Sequence, residues 1–294
     1  MACAFVAALV LIYALRPDQK AAPPSPLPSP NGYDDFVKAG YLLALSTNYF
    51  TRMSVEELRS YVGTNQESLR LMRLGLNREC RVPVETTTVY TQEHVEDASR
   101  IKHAAQLLSA EGWLAEMEGR HDLAAKSHLE RVRLGLASSM GGLLIDRLVG
   151  VAIEDVGLTG LERTAQRLNG LACKEIIQGL EGINASADSA AEYIKRERER
   201  NRRTIGWSVR LQVKLLGWVF SKPSFFEATD QKFTAKVITT DRRRRQLMLN
   251  LASRAYELEH GKRPLRAEDL VPSLLRAAPK DPETGTNLVL NPAN

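Results

Sequence analysis

The stretch that decides the fold runs from residue 92 to residue 118 and reads QEHVEDASRIKHAAQLLSAEGWLAEME. Its apolar residues recur every three or four positions, which places them on one face of an α-helix. These residues are Ile101, Ala104, Ala105, Leu107, Leu108, Leu114 and Met117. The sequence Gly119-Arg120-His121-Asp122 then predicts a turn, and a partner helix extends to about Ser139. We therefore expect an antiparallel helical hairpin here.

Proline is scarce in the body of the chain, where the region from Asn31 to Arg263 contains only Pro83 and Pro223. The same region is rich in alanine, leucine, glutamate, arginine and lysine, which favour helices. Further helices are predicted at 33–49, 54–62, 65–78, 142–168, 172–183, 188–220 and 229–260. Because the loops between them are short, we predict an all-α fold of antiparallel hairpins, arranged as an irregular bundle or a short α-solenoid.

Polar residues mark several of the predicted helix starts. Asn31 can cap the first helix with its side-chain oxygen. Ser54 with Glu57, and Thr64 with Glu67, both fit the capping box, in which a hydroxyl and a carboxylate bind the free backbone amides of the first turn. We expect helices to begin at all three positions.

The N-terminus carries an unbroken apolar run, Ala2 to Leu15, followed by a proline-rich segment at 23–30. As a helix the run would span roughly 21 Å, which is shorter than a hydrocarbon core of ~30 Å. We interpret 1–16 as a signal anchor or a signal peptide, with a buried helix as the third alternative. Residues 17–32 are predicted to form a proline-rich linker in an extended conformation.

The remaining chain is predicted to divide into a helical domain at 33–263 and a tail at 264–294, in which a short helix precedes several turns. An uncleaved anchor would bind the membrane through the N-terminus. The helical domain would then lie on the extracytoplasmic side of the cell envelope. This topology is our prediction for the location of the protein.

The charge pattern argues against a nucleic-acid partner and leaves an anionic lipid surface open. Lysine and arginine exceed aspartate and glutamate by 40 to 35, and the signs are interspersed, so we expect no nucleic-acid binding, which needs a concentrated basic face. Four consecutive arginines, Arg242, Arg243, Arg244 and Arg245, point around a full helical turn, so at least one must face inward. The run predicts either a buried ion pair or a contact with an anionic partner such as lipid headgroups.

A second candidate interface lies in the segment 203–220. As a helix it places basic residues on a narrow face and apolar residues on the opposite, broad face. Trp207, Arg210, Lys214 and Trp218 would suit a membrane interface, and core packing of the broad face is the alternative.

Two cysteines lie in the predicted helical domain. Cys80 and Cys173 show no metal-binding spacing. In an exported domain they are a candidate disulfide pair, and two buried free thiols are the alternative.

The predicted hairpin at 102–135 carries small residues and histidines at a regular spacing: Gly112, Gly119, Ala124, His121 and His128. In this it resembles a tetratricopeptide repeat, whose small residues allow two helices to approach closely and whose aromatic positions the histidines occupy. Glu111 stands where that repeat has an apolar residue. The resemblance implies tightly packed helices in this hairpin.

The C-terminal segment ends a long helix at Gly261 and continues into a short helix and a turn-rich loop. The residues concerned are Asp269, Leu270, Val271, Pro272, Pro279, Asp281, Pro282 and Gly285. This segment resembles the C-terminal portion of type II secretion pseudopilins. The N-terminus lacks their cleavage motif and their glutamate-bearing helix, so the chain is not assigned to them. Taken whole, it looks like a member of an uncharacterised family of membrane-anchored, all-helical bacterial proteins.

The sequence offers few signs of catalysis or cofactor binding. The five histidines show no metal-ligand spacing, so we expect structural or surface roles for them and no cofactor. Glu154 and Asp155 follow an apolar run, which predicts an ion pair with an arginine for one of them. Asp281 and Glu283 offer a weak calcium site as an alternative to simple turns.

These observations leave three functional hypotheses. The first is a non-catalytic helical scaffold that binds a protein partner through a groove between helical hairpins. The second is an envelope hydrolase, which would need a concave site with converging titratable groups. The third is a lipid-binding protein that uses 203–220 and the four arginines.

Overall fold

A computed structural model describes residues 26–44, 50–84, 92–204 and 225–290. These residues form α1 Gly32–Leu42, α2 Val55–Thr64, α3 Gln66–Leu76, α4 Gln92–Met117, α5 His121–Ala137, α6 Leu144–Ala165, α7 Gly170–Ser186, α8 Ala190–Thr204 and α9 Phe225–His260. Short 3-10 helices lie at Phe50–Arg52 and Ala267–Leu270. The described residues contain a single β-bridge, Lys280 to Asn287, and no strand. The all-α prediction is therefore confirmed for this part of the chain.

The helix starts follow the local chemistry at two of the three predicted sites. The Asn31 side chain accepts a hydrogen bond from the amide of Tyr33. Ser54 and Glu57 form the predicted capping box. The second predicted box is wrong, because Asn65 precedes α3 without a capping bond and the hydroxyl of Thr64 donates to the carbonyl of Ser60.

The helices pack around two large apolar cores, and a small third cluster joins Val151 of α6 and Tyr193 of α8 to Phe233 and Val237 of α9. The first core joins α1, α2, α3 and α4, with Leu134 of α5 and Ile153 of α6 completing it. The second core joins α5, α6, α7 and α9 with the residues that follow α9, of which Leu270 and Leu275 are buried. Because α5 and α6 contribute to both cores, this helix pair connects the two halves of the described chain.

Glycine allows α5 and α6 to approach closely. A Cβ atom added to Gly135 of α5 would lie 2.5 Å from the carbonyl oxygen of Gly150 in α6, which is closer than a real Cβ contact. Only residues without a side chain permit backbones to meet in this way. The α5–α6 pair is therefore held at a spacing that larger side chains would prevent.

The two cysteines are free, buried thiols, so the disulfide alternative is not formed. Cys80 packs in the first core and Cys173 in the second, so the helices hold the two thiols apart. Burial raises the pKa of the Cys80 thiol to about 12 and that of Cys173 to about 11. Both groups stay protonated and act as small apolar side chains.

Among the residues that the structure describes, no helix has the length and apolar composition needed to cross a membrane. The apolar run Ala2 to Leu15 lies outside the described residues.

Candidate functional site

A cleft opens between α2–α3 on one side and the α4–α5 hairpin on the other, with a volume of about 560 Å³. We call it the basic cleft. The residues that line it are Arg59, Val62, Gly63, Gln66, Arg73, Glu111, Leu114, Ala115, Arg120, Leu123, Lys126 and Ser127. Four of these side chains are cationic and one is anionic.

Helical spacing explains how so many residues reach one cleft. On α4, the lining residues after Glu111 are Leu114 and Ala115, which are three and four positions further along. The same spacing occurs on α2 from Arg59 and on α5 from Leu123. Residues three and four apart lie on one helix face, so each helix presents one edge to the cleft.

Arg73 of α3 lies at the centre of the polar contacts in the basic cleft. Its Nη2 atom donates to Glu111 Oε2 at 2.5 Å, and its Nε atom donates to Glu130 Oε2 at 2.9 Å. The hydroxyl of Ser127 donates to the same Glu111 oxygen at 2.7 Å. One guanidinium therefore joins a carboxylate of α4 to a carboxylate of α5.

The electrostatics keep Arg73 cationic. Its burial tends to lower the pKa of the guanidinium, but the hydrogen bonds to Glu130 and Glu111 outweigh this and raise the pKa above its usual value. A group that stays charged at every physiological pH suits charge compensation and does not suit proton transfer.

The mouth of the basic cleft holds the remaining cations. Arg59 Nη2 donates to Glu118 Oε1 at 2.7 Å, and Arg120 donates to the other oxygen of Glu118. Lys126 is exposed and makes no ion pair with any residue that the structure describes. The mouth therefore contains two arginines that share one carboxylate and one lysine whose charge is not compensated internally.

The basic cleft also has an apolar portion. Val62, Leu114 and Ala115 are each less than 10% exposed and form its floor, while Leu123 at the rim is 48% exposed. An apolar floor with charged walls is the usual composition of a binding pocket.

The four consecutive arginines predicted as an interface are used inside the molecule. Arg242 binds Asp281 and Glu283, and Arg243 binds Glu162. Arg245 donates to the carbonyl of Lys280 at 2.8 Å. Carboxylates compensate the charges of Arg242 and Arg243, and a carbonyl holds Arg245, so the run does not present four uncommitted cations to an anionic surface.

Arg244 is the member of the run that faces inward, which fulfils the prediction that at least one of the four does so. It is 1% exposed and donates to Glu154 Oε2 at 2.6 Å, to Asp241 at 2.6 Å and to Asn184 at 2.6 Å. Glu154 also accepts from Arg147. The ion pair predicted for Glu154 or Asp155 is formed by Glu154, with two buried arginines and not one.

The other sequence-predicted sites divide into two groups. Trp207, Arg210, Lys214 and Trp218 lie outside the described residues. Asp281 and Glu283, considered as calcium ligands, both bind Arg242, which supplies a positive charge in that loop. Within the described residues, no group of histidine, cysteine, aspartate and glutamate side chains is arranged to hold a metal ion.

His128 in the predicted hairpin has a buried structural position. It is 2% exposed, and its Nε2 atom hydrogen-bonds Glu116 Oε1 at 2.9 Å. Arg163 binds Glu116 from α6. Burial of Glu116 tends to raise the pKa of its carboxyl, but the bonds from Arg163 and His128 bring it down to about 2. The contacts of Glu116 with His128 and Arg163 therefore join α4, α5 and α6.

No protein-family model, no curated protein and no solved structure matches this chain. The resemblances to a tetratricopeptide repeat and to the pseudopilin tail therefore remain predictions.

Sequence reasoning missed the basic cleft because its residues come from four helices and follow no motif. Arg59, Arg120 and Lys126 read as ordinary surface charges. One signal was present: Glu111 interrupts the apolar pattern of the hairpin. In the structure this carboxylate lines the basic cleft and not the core between the paired helices.

Proposed function

We propose that the protein is a non-catalytic helical scaffold, anchored in the cell envelope, that binds a protein partner through the basic cleft. The observation that carries this proposal is the cleft itself, in which four helices bring charged walls and an apolar floor together. Concave sites of this composition are the usual places where a protein binds another molecule.

The chemistry of the basic cleft favours binding over catalysis. An envelope hydrolase would need a nucleophile with a base to activate it. The hydroxyl of Ser127 donates to Glu111, but that same carboxylate oxygen already accepts a charged hydrogen bond from Arg73. The oxygen that would take the serine proton is therefore already engaged by a guanidinium. We therefore propose a binding role and keep the hydrolase as the alternative.

The proposed location depends on the N-terminal sequence. The apolar run Ala2 to Leu15 would bind the membrane, and the proline-rich segment at 23–30 would hold the helical domain away from its surface. A protein partner in the same compartment fits this arrangement better than a nucleic acid, because the excess of basic residues is small and the arginine run is internally compensated.

Site-specific photo-crosslinking in intact cells tests the proposal. A photoreactive residue is placed at Leu123, on the rim of the basic cleft, and a matched one at Leu258 on α9, which is similarly exposed at 49%. We expect a discrete protein adduct from position 123 that is lost when Lys126→Glu is added. Identical adducts at both positions, or none at position 123, would contradict the proposal.

A further inference from the structure

We infer that the basic cleft binds an acidic, extended segment of a partner protein, in which an apolar side chain lies between carboxylates. This inference rests on the proposed function and names the chemistry of the partner. It follows from the excess of cations at the mouth, from the partial compensation of Glu111 and Glu130 by Arg73, and from the apolar surface beside them.

The mouth of the basic cleft attracts carboxylates. Lys126 is exposed and has no ion pair within the described residues, so it provides the first contact for an anionic group. Arg59 and Arg120 share Glu118 at the surface, where their side chains are 57% and 51% exposed. Exposed pairs of this kind contribute only about 0–1 kcal/mol, so a partner carboxylate can take the place of Glu118 at little cost.

The interior of the cleft holds one guanidinium between two carboxylates. Glu111 and Glu130 would repel a partner carboxylate if they were unpaired. Arg73 lies against both, at 2.5 Å and 2.9 Å, and compensates part of their charge. Arg73 carries one positive charge against these two carboxylates, so the attraction for an anion comes from the mouth, where three cations face the single carboxylate of Glu118.

The apolar surface distinguishes a peptide from a simple anion. Leu123 at the rim and Leu114 on the floor offer contact to an aliphatic or aromatic side chain. The volume of about 560 Å³ lies within the ~300–1,000 Å³ range of ligand sites. A cavity of this size accommodates a few side chains of an extended segment and is too small for a folded domain. A phosphate or a nucleic-acid backbone would leave the apolar surface unused.

Peptide binding to the full-length chain tests the inference. The probes are three pools of fluorescent heptapeptides with a central leucine, flanked by aspartate and glutamate, by serine and glycine, or by lysine and arginine. Fluorescence anisotropy measures the dissociation constant of each pool. We expect the acidic pool to bind most tightly and to weaken as salt is raised, since the contacts are between exposed charges.

Matched variants locate the binding. Lys126→Glu and Leu123→Ser should each weaken binding of the acidic pool by about tenfold, which is the effect of losing ~1.4 kcal/mol. Lys262→Glu changes the same charge at an exposed position outside the basic cleft and should leave binding unchanged. Both cleft substitutions replace exposed side chains, so unchanged thermal unfolding serves as the check that each variant is folded.

The outcomes separate this inference from the proposed function. If the neutral or basic pool binds best and Leu123→Ser weakens that binding, the cleft binds proteins but the prediction of an acidic partner is wrong. If inorganic phosphate alone displaces the acidic pool at equal concentration, the cleft is a simple anion site and the inference is overturned. If no pool binds while position 123 still gives a protein adduct, the inference fails and the proposed function survives.

Discussion

Glu154 of α6 and Arg244 of α9 form a salt bridge of 2.6 Å between two side chains that are each at most 1% exposed. Arg147, two helical turns earlier on the same face of α6, donates to the other oxygen of the same carboxylate. The two helices are far apart in sequence, so this carboxylate connects the end of the chain to its middle. Its charge also compensates two cations that burial would otherwise make costly.

Removing the Glu154 charge should destabilise the protein strongly. Glu154→Gln leaves Arg147 and Arg244 buried around a neutral amide, and breaking a buried pair of this kind costs about 3–5 kcal/mol of the free energy of unfolding. The matched substitution Glu162→Gln removes a partly exposed partner of Arg243 and should cost about 0–1 kcal/mol. Urea denaturation measures both, and equal losses would contradict the role assigned to Glu154.

Adding one methyl group at Gly112 should also destabilise the fold. A Cβ atom there would lie 2.6 Å from Cε1 of His128, whose ring is held by Glu116 and cannot move away freely. Overpacking of this kind costs about 1–3 kcal/mol. In α7, nothing lies within 4 Å of a Cβ atom added to Gly182, so Gly182→Ala should stabilise by about 0.4–1 kcal/mol. The midpoints of urea unfolding should move in opposite directions.

The His94–Asp146 contact predicts that stability falls as the pH rises through the pKa of His94 in the folded protein. The hydrogen bond of 2.7 Å that His94 Nε2 makes to the Asp146 carboxylate raises the pKa of His94 above its usual value, against a smaller opposing effect of burial. Because the folded pKa exceeds the unfolded value of about 6.5, the stabilisation is complete below that pH. It is lost as the pH rises through the folded pKa.

His94→Gln tests this dependence because glutamine does not titrate. The difference in unfolding free energy between the unmodified protein and this variant should be largest in mildly acidic solution and should shrink as the pH is raised. Denaturant titrations at a series of pH values measure it. A difference that stays constant with pH would show that the charge of His94 does not matter.

Arg242 should hold the loop that follows the short 3-10 helix at Ala267–Leu270. Its guanidinium binds Asp281 at 2.6 Å and Glu283 at 2.7 Å, and Asp281 accepts backbone hydrogen bonds from Glu283 and Thr284. Arg242→Ala should therefore speed amide hydrogen exchange across 279–289 and change global stability little, because these pairs are near the surface. Arg276→Ala, at an arginine with an 83% exposed side chain, is the control and should leave exchange in this loop unchanged.

The two buried thiols should be unreactive until the protein unfolds. Cys80 and Cys173 are free and buried, and their pKa values are raised, so little thiolate is present at neutral pH. In a Cys3→Ser background, a thiol reagent should label neither cysteine in the folded protein and both in urea without reductant. Failure to label in urea would mean that the two form a disulfide.

Local features of the fold could be predicted from the sequence. The long helix from Gln92 to Met117 was predicted within one residue at its C-terminal end, because its apolar periodicity is a property of consecutive residues. The capping box of Ser54 and Glu57 is likewise complete within four residues. The capping box predicted for Thr64 and Glu67 is wrong for an equally local reason. Asn65 takes the cap position of α3, and the hydroxyl of Thr64 donates to the carbonyl of Ser60.

The basic cleft could not be predicted in this way. Its central contact joins Arg73 to Glu111 and Glu130, which lie 38 and 57 positions away. Each of these residues fits an exposed helix face equally well, and only the packing of α3 against the α4–α5 hairpin brings them together. The departure of Glu111 from the apolar pattern was the one local sign that this face is not part of the core.

The sequence by itself determined the all-α class of the described residues, most helix boundaries, and the requirement that at least one of the four arginines face inward. Those properties depend on hydrogen bonds and side-chain periodicity over a few residues. The tertiary structure decided that Arg244 is the inward-facing arginine, that Glu154 also binds Arg147, and that four separate surface cations surround one cleft. Such contacts depend on which helix faces meet, which is set by the packing of residues distant in the chain.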